Sequence, residues 1–251
     1  ITLGNATKGA FTATSSTVYT LVVTPTGAAV TVDVAANGAI DVASNGNTAA
    51  TQATTNYDAT NPTVVISGVP ANSNAAFTVT FTFSEVVTDF VDSEIIVGNS
   101  VRSSFSGSGK VYTAIITPQA EGNVSISLNP GSVIDAAGNS NAVPVSATSN
   151  YDISNPIVTI SGVPANSNAA FTATFTFNEA VTGFDATDIT LGNATKSAFT
   201  ATSSTVYTLL VTPTDAAVTV DVAANGAIDI ASNGNTAATQ ATTNYDATDP
   251  T

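Results

Sequence analysis

The 251-residue chain has no cysteine, histidine, methionine or tryptophan, and its only basic residues are Lys8, Arg102, Lys110 and Lys196. Each absence removes a chemistry. Without histidine or cysteine there is no Ser-His-Asp or Cys-His nucleophile, no imidazole or thiolate zinc site and no disulfide framework. Any catalysis would rest on carboxylates alone, and the chain is not expected to be an enzyme. Eighteen acids against four bases leave a formal charge of −14. Binding to nucleic acid needs Lys and Arg to displace condensed counterions, so this field disfavours nucleic acid and anionic membrane surfaces alike. Long apolar runs are also missing, and none approaches the roughly 18 residues of a membrane span.

What is present points to a packed, β-rich chain. Charged residues make up 9% of the sequence and hydrophobic ones 43%, and threonine supplies about a sixth of it. A disordered acidic tail would be charge-dense and poor in β-branched residues.

The sequence repeats. Asn-Tyr-Asp occurs at 56–58, 150–152 and 244–246, a spacing of 94 residues each time, and each copy leads into a proline, Pro62, Pro156 or Pro250. The peptide SGVPANSNAAFT at 67–78 recurs at 161–172, and residues 1–63 match 189–251 at all but five positions. The chain therefore divides into the back part of one module (1–58), two complete modules (59–152 and 153–246) and the start of another (247–251). Such near-identity implies recent duplication, and an excerpt from a longer parent array is the expectation. Residues 1–57 lack counterparts of the first strands of a module. Upstream chain or another molecule is expected to cover the edges left open.

Within a module the hydrophobic period is two. Phe77, Val79, Phe81 and Phe83 fall on one face of a strand with threonines on the other, and Phe171, Ala173, Phe175 and Phe177 repeat the pattern. In the middle module this predicts seven strands, A to G, near 63–68, 76–83, 94–98, 101–106, 110–117, 123–129 and 142–149. Short strands separated by Gly, Pro, Asn and Ser turns predict an all-β fold of tandem immunoglobulin-like sandwiches arranged as a rod. Threonine suits the solvent faces, being β-branched yet tolerant of water.

Several motifs then carry a resemblance: NPTVVI at 61–66, FTVTFTFSE at 77–85, VYTAIITP at 111–118 and IDAAGN at 134–139. In this order they resemble the bacterial immunoglobulin-like repeats that build the extender regions of giant surface adhesins and biofilm-associated proteins. The resemblance covers the whole chain. It implies an extracellular stalk at the bacterial cell surface, often with calcium at the junctions between modules. The third module departs from the second in having Asn178-Glu179 for Ser84-Glu85, and DIASNGN at 229–235 for the Asp-Ala-Ala-Gly-Asn loop.

Strand parity gives a separate route to a metal site. If the linker enters at one pole, strand A leaves it and B returns, so the B–C loop with Glu85 lies beside the linker. Strand F returns to the same pole, bringing the F–G loop with Asp135 and Asn139. Asp58, Asn61, Glu85, Asp135 and Asn139 are therefore expected to converge, as are Asp152, Asn155, Glu179 and Asp229 at the next junction. Calcium takes six to eight oxygens from such groups, whereas magnesium demands a tight octahedron. The alternative is that these Asp and Asn residues only shape turns.

Other features have plainer explanations. The acid pairs Asp185/Asp188 and Asp89/Asp92 have the composition of a glycosidase couple but are expected to be solvated turn residues. Lys8 and Lys196 are expected to be exposed rather than in isopeptide bonds, and Asn225-Gly226 and Asn233-Gly234 to form turns. Tyr57, Tyr151 and Tyr245 are expected to pack over the joints. The favoured function is a spacer that contacts its neighbouring repeats. The alternative is a module that itself binds a surface, a glycan or other copies of the chain.

Overall fold

The computed structural model describes residues 1–249. Pro250 and Thr251, at the end of the expected next-module start, lie outside the described residues. The first module contributes β1 (Thr2–Gly4), β2 (Ala6–Ala13), β3 (Tyr19–Pro25), β4 (Ala29–Asp33) and β5 (Ala53–Asn56), arranged as a β1-β4-β5 sheet and a β2-β3 ribbon. The second contributes β6 (Val64–Ser67), β7 (Asn72–Ser73), β8 (Phe77–Phe83), β9 (Ile96–Gly98), β10 (Ser100–Ser108), β11 (Val111–Pro118), β12 (Gly122–Leu128) and β13 (Val145–Tyr151). The third repeats this with β14 (Val158–Ser161), β15 (Asn166–Ser167), β16 (Phe171–Phe177), β17 (Ile189–Gly192), β18 (Ala194–Ala201), β19 (Val206–Pro213), β20 (Val218–Val222) and β21 (Ala241–Tyr245).

Each complete module is a two-sheet sandwich. In the second, β10-β11-β8-β6 faces β7-β13-β12-β9; in the third, β18-β19-β16-β14 faces β15-β21-β20-β17. These are the D-E-B-A and A′-G-F-C sheets of an immunoglobulin-like domain. The seven expected strands are present, with the last displaced to 145–151 rather than 142–149. The periodicity did not reveal the two-residue strands β7 and β15, whose parallel pairing with β13 and β21 is a long-range contact. They follow turns at Gly68 (φ +77) and Gly162 (φ +72), where a Cβ would lie 2.5 and 2.4 Å from a carbonyl oxygen of the neighbouring strand, so only glycine fits.

Alternation builds the core. Along β8, Val79, Phe81 and Phe83 are buried while Thr78 and Thr82 are exposed, and β16 does the same with Ala173, Phe175 and Phe177. The neighbouring strand β11 adds Ala114 and Ile116, and β12 of the opposite sheet supplies Val124, Ile126 and Leu128, so burial of apolar area drives the two sheets together. The loop after β8 is tied in by Phe90, whose ring meets Phe83 and Tyr112 edge-on at 5.1 Å each. Phe184 plays the same part against Phe177 and Tyr207, at 5.0 and 5.1 Å. The Tyr112 and Tyr207 hydroxyls donate to the Val87 and Val181 carbonyls, a second anchor for the same loop. Tyr151 and Tyr245 pack against the core of their own module rather than over the joint, because β13 and β21 continue in strand alternation through them. Tyr57 is 44% exposed.

Candidate metal centre at the module joints

The loop carrying Glu85 and the loop carrying Asp135 are stitched together by the backbone. Val87 bridges Asp135, and the Thr88 amide donates to the Ile134 carbonyl at 3.0 Å. In the third module Thr182 and Ile228 exchange both bonds, at 2.8 and 3.0 Å. The F–G loop is shaped by its own aspartate. Asp135 Oδ1 accepts from the Ala137 and Asn139 amides at 2.8 and 2.9 Å, and Oδ2 from Asn139 Nδ2 at 2.9 Å. Asp229 makes the same clip to Asn233, and Asp41 to Asn45. The linker joins through Asn139 Nδ2, which also donates to the Asp58 carbonyl at 3.1 Å; Asn233 does so to Asp152 at 2.9 Å.

The result is two matching carboxylate clusters. Asp58, Glu85 and Asp135 each offer an oxygen within 4.8 Å of the others, and so do Asp152, Glu179 and Asp229. Asp135 and Asp229 are buried, at 4% and 3% exposure. Burial and crowding raise the two glutamate carboxyls. Partial burial, then the charges of Asp58 and Asp135, push the Glu85 carboxyl above its ordinary value, with Lys110 opposing. Burial, then Asp229, Asp152 and Glu121, do the same to Glu179. The hydrogen bond from the Asn139 side chain pulls Asp135 the other way. One of the three acids at the first joint is thus held firmly ionised while its neighbour resists ionisation.

The asparagines play different parts. Asn139 is a donor that welds Asp135 to the linker, and Asn233 is its counterpart, which the sequence reading left out of the second set although the Asp-X3-Asn spacing repeats there. Asn155 Nδ2 donates to the Gly234 carbonyl at 2.6 Å, and Asn61 lines an apolar groove with Pro62 and Val143. The four other acids singled out in the sequence are engaged locally. Asp185 and Asp188 form a capping box around a single 3-10 turn, Asp89 accepts from the Ile134 amide at 2.8 Å, and Asp92 pairs with Arg102 at 2.9 Å. Lys196 donates to the Ala186 carbonyl, and Lys8 is exposed.

Fold and site together define a class: tandem immunoglobulin-like sandwiches whose joints gather carboxylates from the linker and two loops. Residues 58–153 and 152–246 each match the bacterial Ig-like domain family, and the chain belongs to it. No curated protein matches the chain. Among solved structures it is similar to the Escherichia coli adhesin FdeC, at 17% identity over 94% of this chain and 83% of that one, with a TM-score of 0.42. It is also similar to invasin, a bacterial integrin-binding protein, at 14% identity over 81% of this chain and 44% of that one, with a TM-score of 0.37. A third likeness is the Yersinia pseudotuberculosis adhesin InvE, at 17% identity, 74% and 58% coverage and a TM-score of 0.27. The chain spans about half the length of these last two. Among the described residues no helix is long and apolar enough to cross a membrane.

Proposed function

We propose that this chain is an extender segment of a bacterial surface adhesin, extracellular, whose module joints are stiffened by calcium. The observation that carries this reading is the recurrence of one carboxylate trio at two joints, each drawing one acid from the linker and one from each of two loops. The donors are all oxygen, as a hard cation requires, and Asn139 or Asn233 keeps the linker against the loop. An ion held by all three segments couples the linker to its module and removes rotation about the joint. Its charge also relieves the repulsion that raises the Glu85 and Glu179 carboxyls. Calorimetric titration of chelated protein with calcium, paired with melting and X-ray scattering, tests this. Free calcium at 100 times its dissociation constant should add about 2.7 kcal/mol per site. Unchanged melting and scattering after EDTA would overturn the calcium reading.

A second reading, binding by the modules themselves, is favoured by one observation. Cross-strand registry lines up Ser67, Thr80, Thr113 and Ser106 across the outer face of one sheet, and Ser161, Thr174, Thr208 and Thr200 across its counterpart. Each row is an uncharged hydroxyl ladder on an otherwise acidic molecule. Glycan-array and sedimentation measurements separate this reading from a pure spacer.

A further inference from the structure

The two joints share a carboxylate trio but differ in the residue that the turn before strand F turns toward the linker, Glu121 at the second and Gly27 at the first. At the second joint, Asn74 Nδ2 of the second module donates to Asn233 Oδ1 of the third at 3.2 Å, across 159 residues of sequence. Asn233 in turn holds the Asp152 carbonyl of the linker. On the linker itself, Glu121 Oε1 accepts from the Ile153 amide at 3.2 Å and from Ser154 Oγ at 2.8 Å. Glu121 belongs to the turn between β11 and β12, so the second module grips the linker after it has left β13. Its carboxylate makes these bonds charge-assisted.

We propose that these contacts hold the second and third modules in a fixed relation without any metal, and that the preceding joint is the hinge. A covalent linker alone is a pivot; Glu121 and Asn74, on separate loops, add two further points of attachment, which together remove rotation. The position of Glu121, three residues before the first buried valine of strand F, is occupied by Gly27 in the first module and Asp215 in the third. Gly27 has no side chain with which to hold the next linker. The first joint instead has Lys110, which donates to the Ser84 carbonyl inside its own module at 2.8 Å. Stiffness therefore depends on which residue occupies this turn, and the array has unequal joints built from near-identical parts.

This proposal is independent of the calcium reading, and its test is run in EDTA. The cysteine-free chain accepts spin labels at S103C and S197C, both exposed positions, and the width of the inter-label distance distribution reports the second joint. The unsubstituted joint should give one narrow distribution. E121G and N74A should each broaden it, and E121G should speed exchange of the Ile153 amide by about tenfold. E121Q keeps an oxygen acceptor and should stay narrow, which separates the bond from the charge. Labels at T54C, on the strand that leads into the first linker, and S103C should give a distribution across the first joint that G27E narrows. A broad second joint that sharpens only on adding calcium would overturn this proposal and leave the metal reading standing. A distribution unmoved by E121G and N74A would also overturn it. A second joint that is narrow in EDTA and indifferent to calcium supports it while counting against the metal.

Discussion

Replacing Glu179 by glutamine should change the sign of its effect with calcium. In metal-free protein the side chain sits in a trio whose oxygens lie within 4.8 Å of one another. At that separation in a water-like dielectric each like-charge pair costs about 0.9 kcal/mol. Glu179 and Asp152 are part-exposed although Asp229 is buried, so this dielectric gives the lower bound, and salt at physiological strength roughly halves the term. With two partners, Asp152 and Asp229, Glu179→Gln should therefore stabilise the metal-free third module by about 1 kcal/mol. For a domain of this size that raises the melting temperature by about 4–8 °C. In saturating calcium the glutamine removes a charged ligand, and the module should forfeit most of the roughly 2.7 kcal/mol that binding supplies. Calorimetric melting of both forms, in EDTA and in calcium, measures the two differences directly. The same sign in both conditions would refute the electrostatic argument, because an acid that is merely solvated has no reason to care whether the cation is present.

Two further predictions follow from packing and titration. Phe184, only 6% exposed and edge-on to Phe177 and Tyr207, should cost about 3–5 kcal/mol when changed to alanine. Its removal also frees the loop that carries Glu179, whereas Val65, 62% exposed on β6, should cost little when changed to alanine; urea unfolding distinguishes them. Metal-free stability should pass through a maximum near pH 4. The raised carboxyls of Glu85 and Glu179 make the native state bind protons more tightly than the unfolded chain, so stability is lost as pH rises through their values and regained on acidification. Below about pH 4 the sign reverses, because Asp135, Asp41 and Asp185 are held below their ordinary values and their stabilisation is lost as they protonate. Melting curves between pH 3 and 7, with and without calcium, check this, and calcium should move the maximum upward.

Strand positions and the inward and outward faces were legible in the sequence because both are local. Alternation of Phe77, Val79, Phe81 and Phe83 with threonine needs no knowledge of the partner sheet, since a strand has only two faces. The 94-residue repeat was legible in the same direct way, as a spacing read off the chain. Parity alone was also enough to bring Asp58, Glu85 and Asp135 to one pole, because antiparallel strands must return to the end they left.

Tertiary structure decided what distance along the chain conceals. That Asn139 and Asn233 are donors clamping the linker, that Asn61 lines an apolar groove, and that Tyr151 and Tyr245 belong to the cores depends on side-chain orientation, which spacing does not specify. The two-residue parallel strands at 72–73 and 166–167 exist only because another strand offers its edge. The contrast between Glu121 and Gly27 is visible in the sequence as a single substitution in a turn. Only the folded chain brings that turn against Ile153 and Ser154, because hydrogen bonds are settled within a few ångströms while the sequence separates these partners by more than thirty residues.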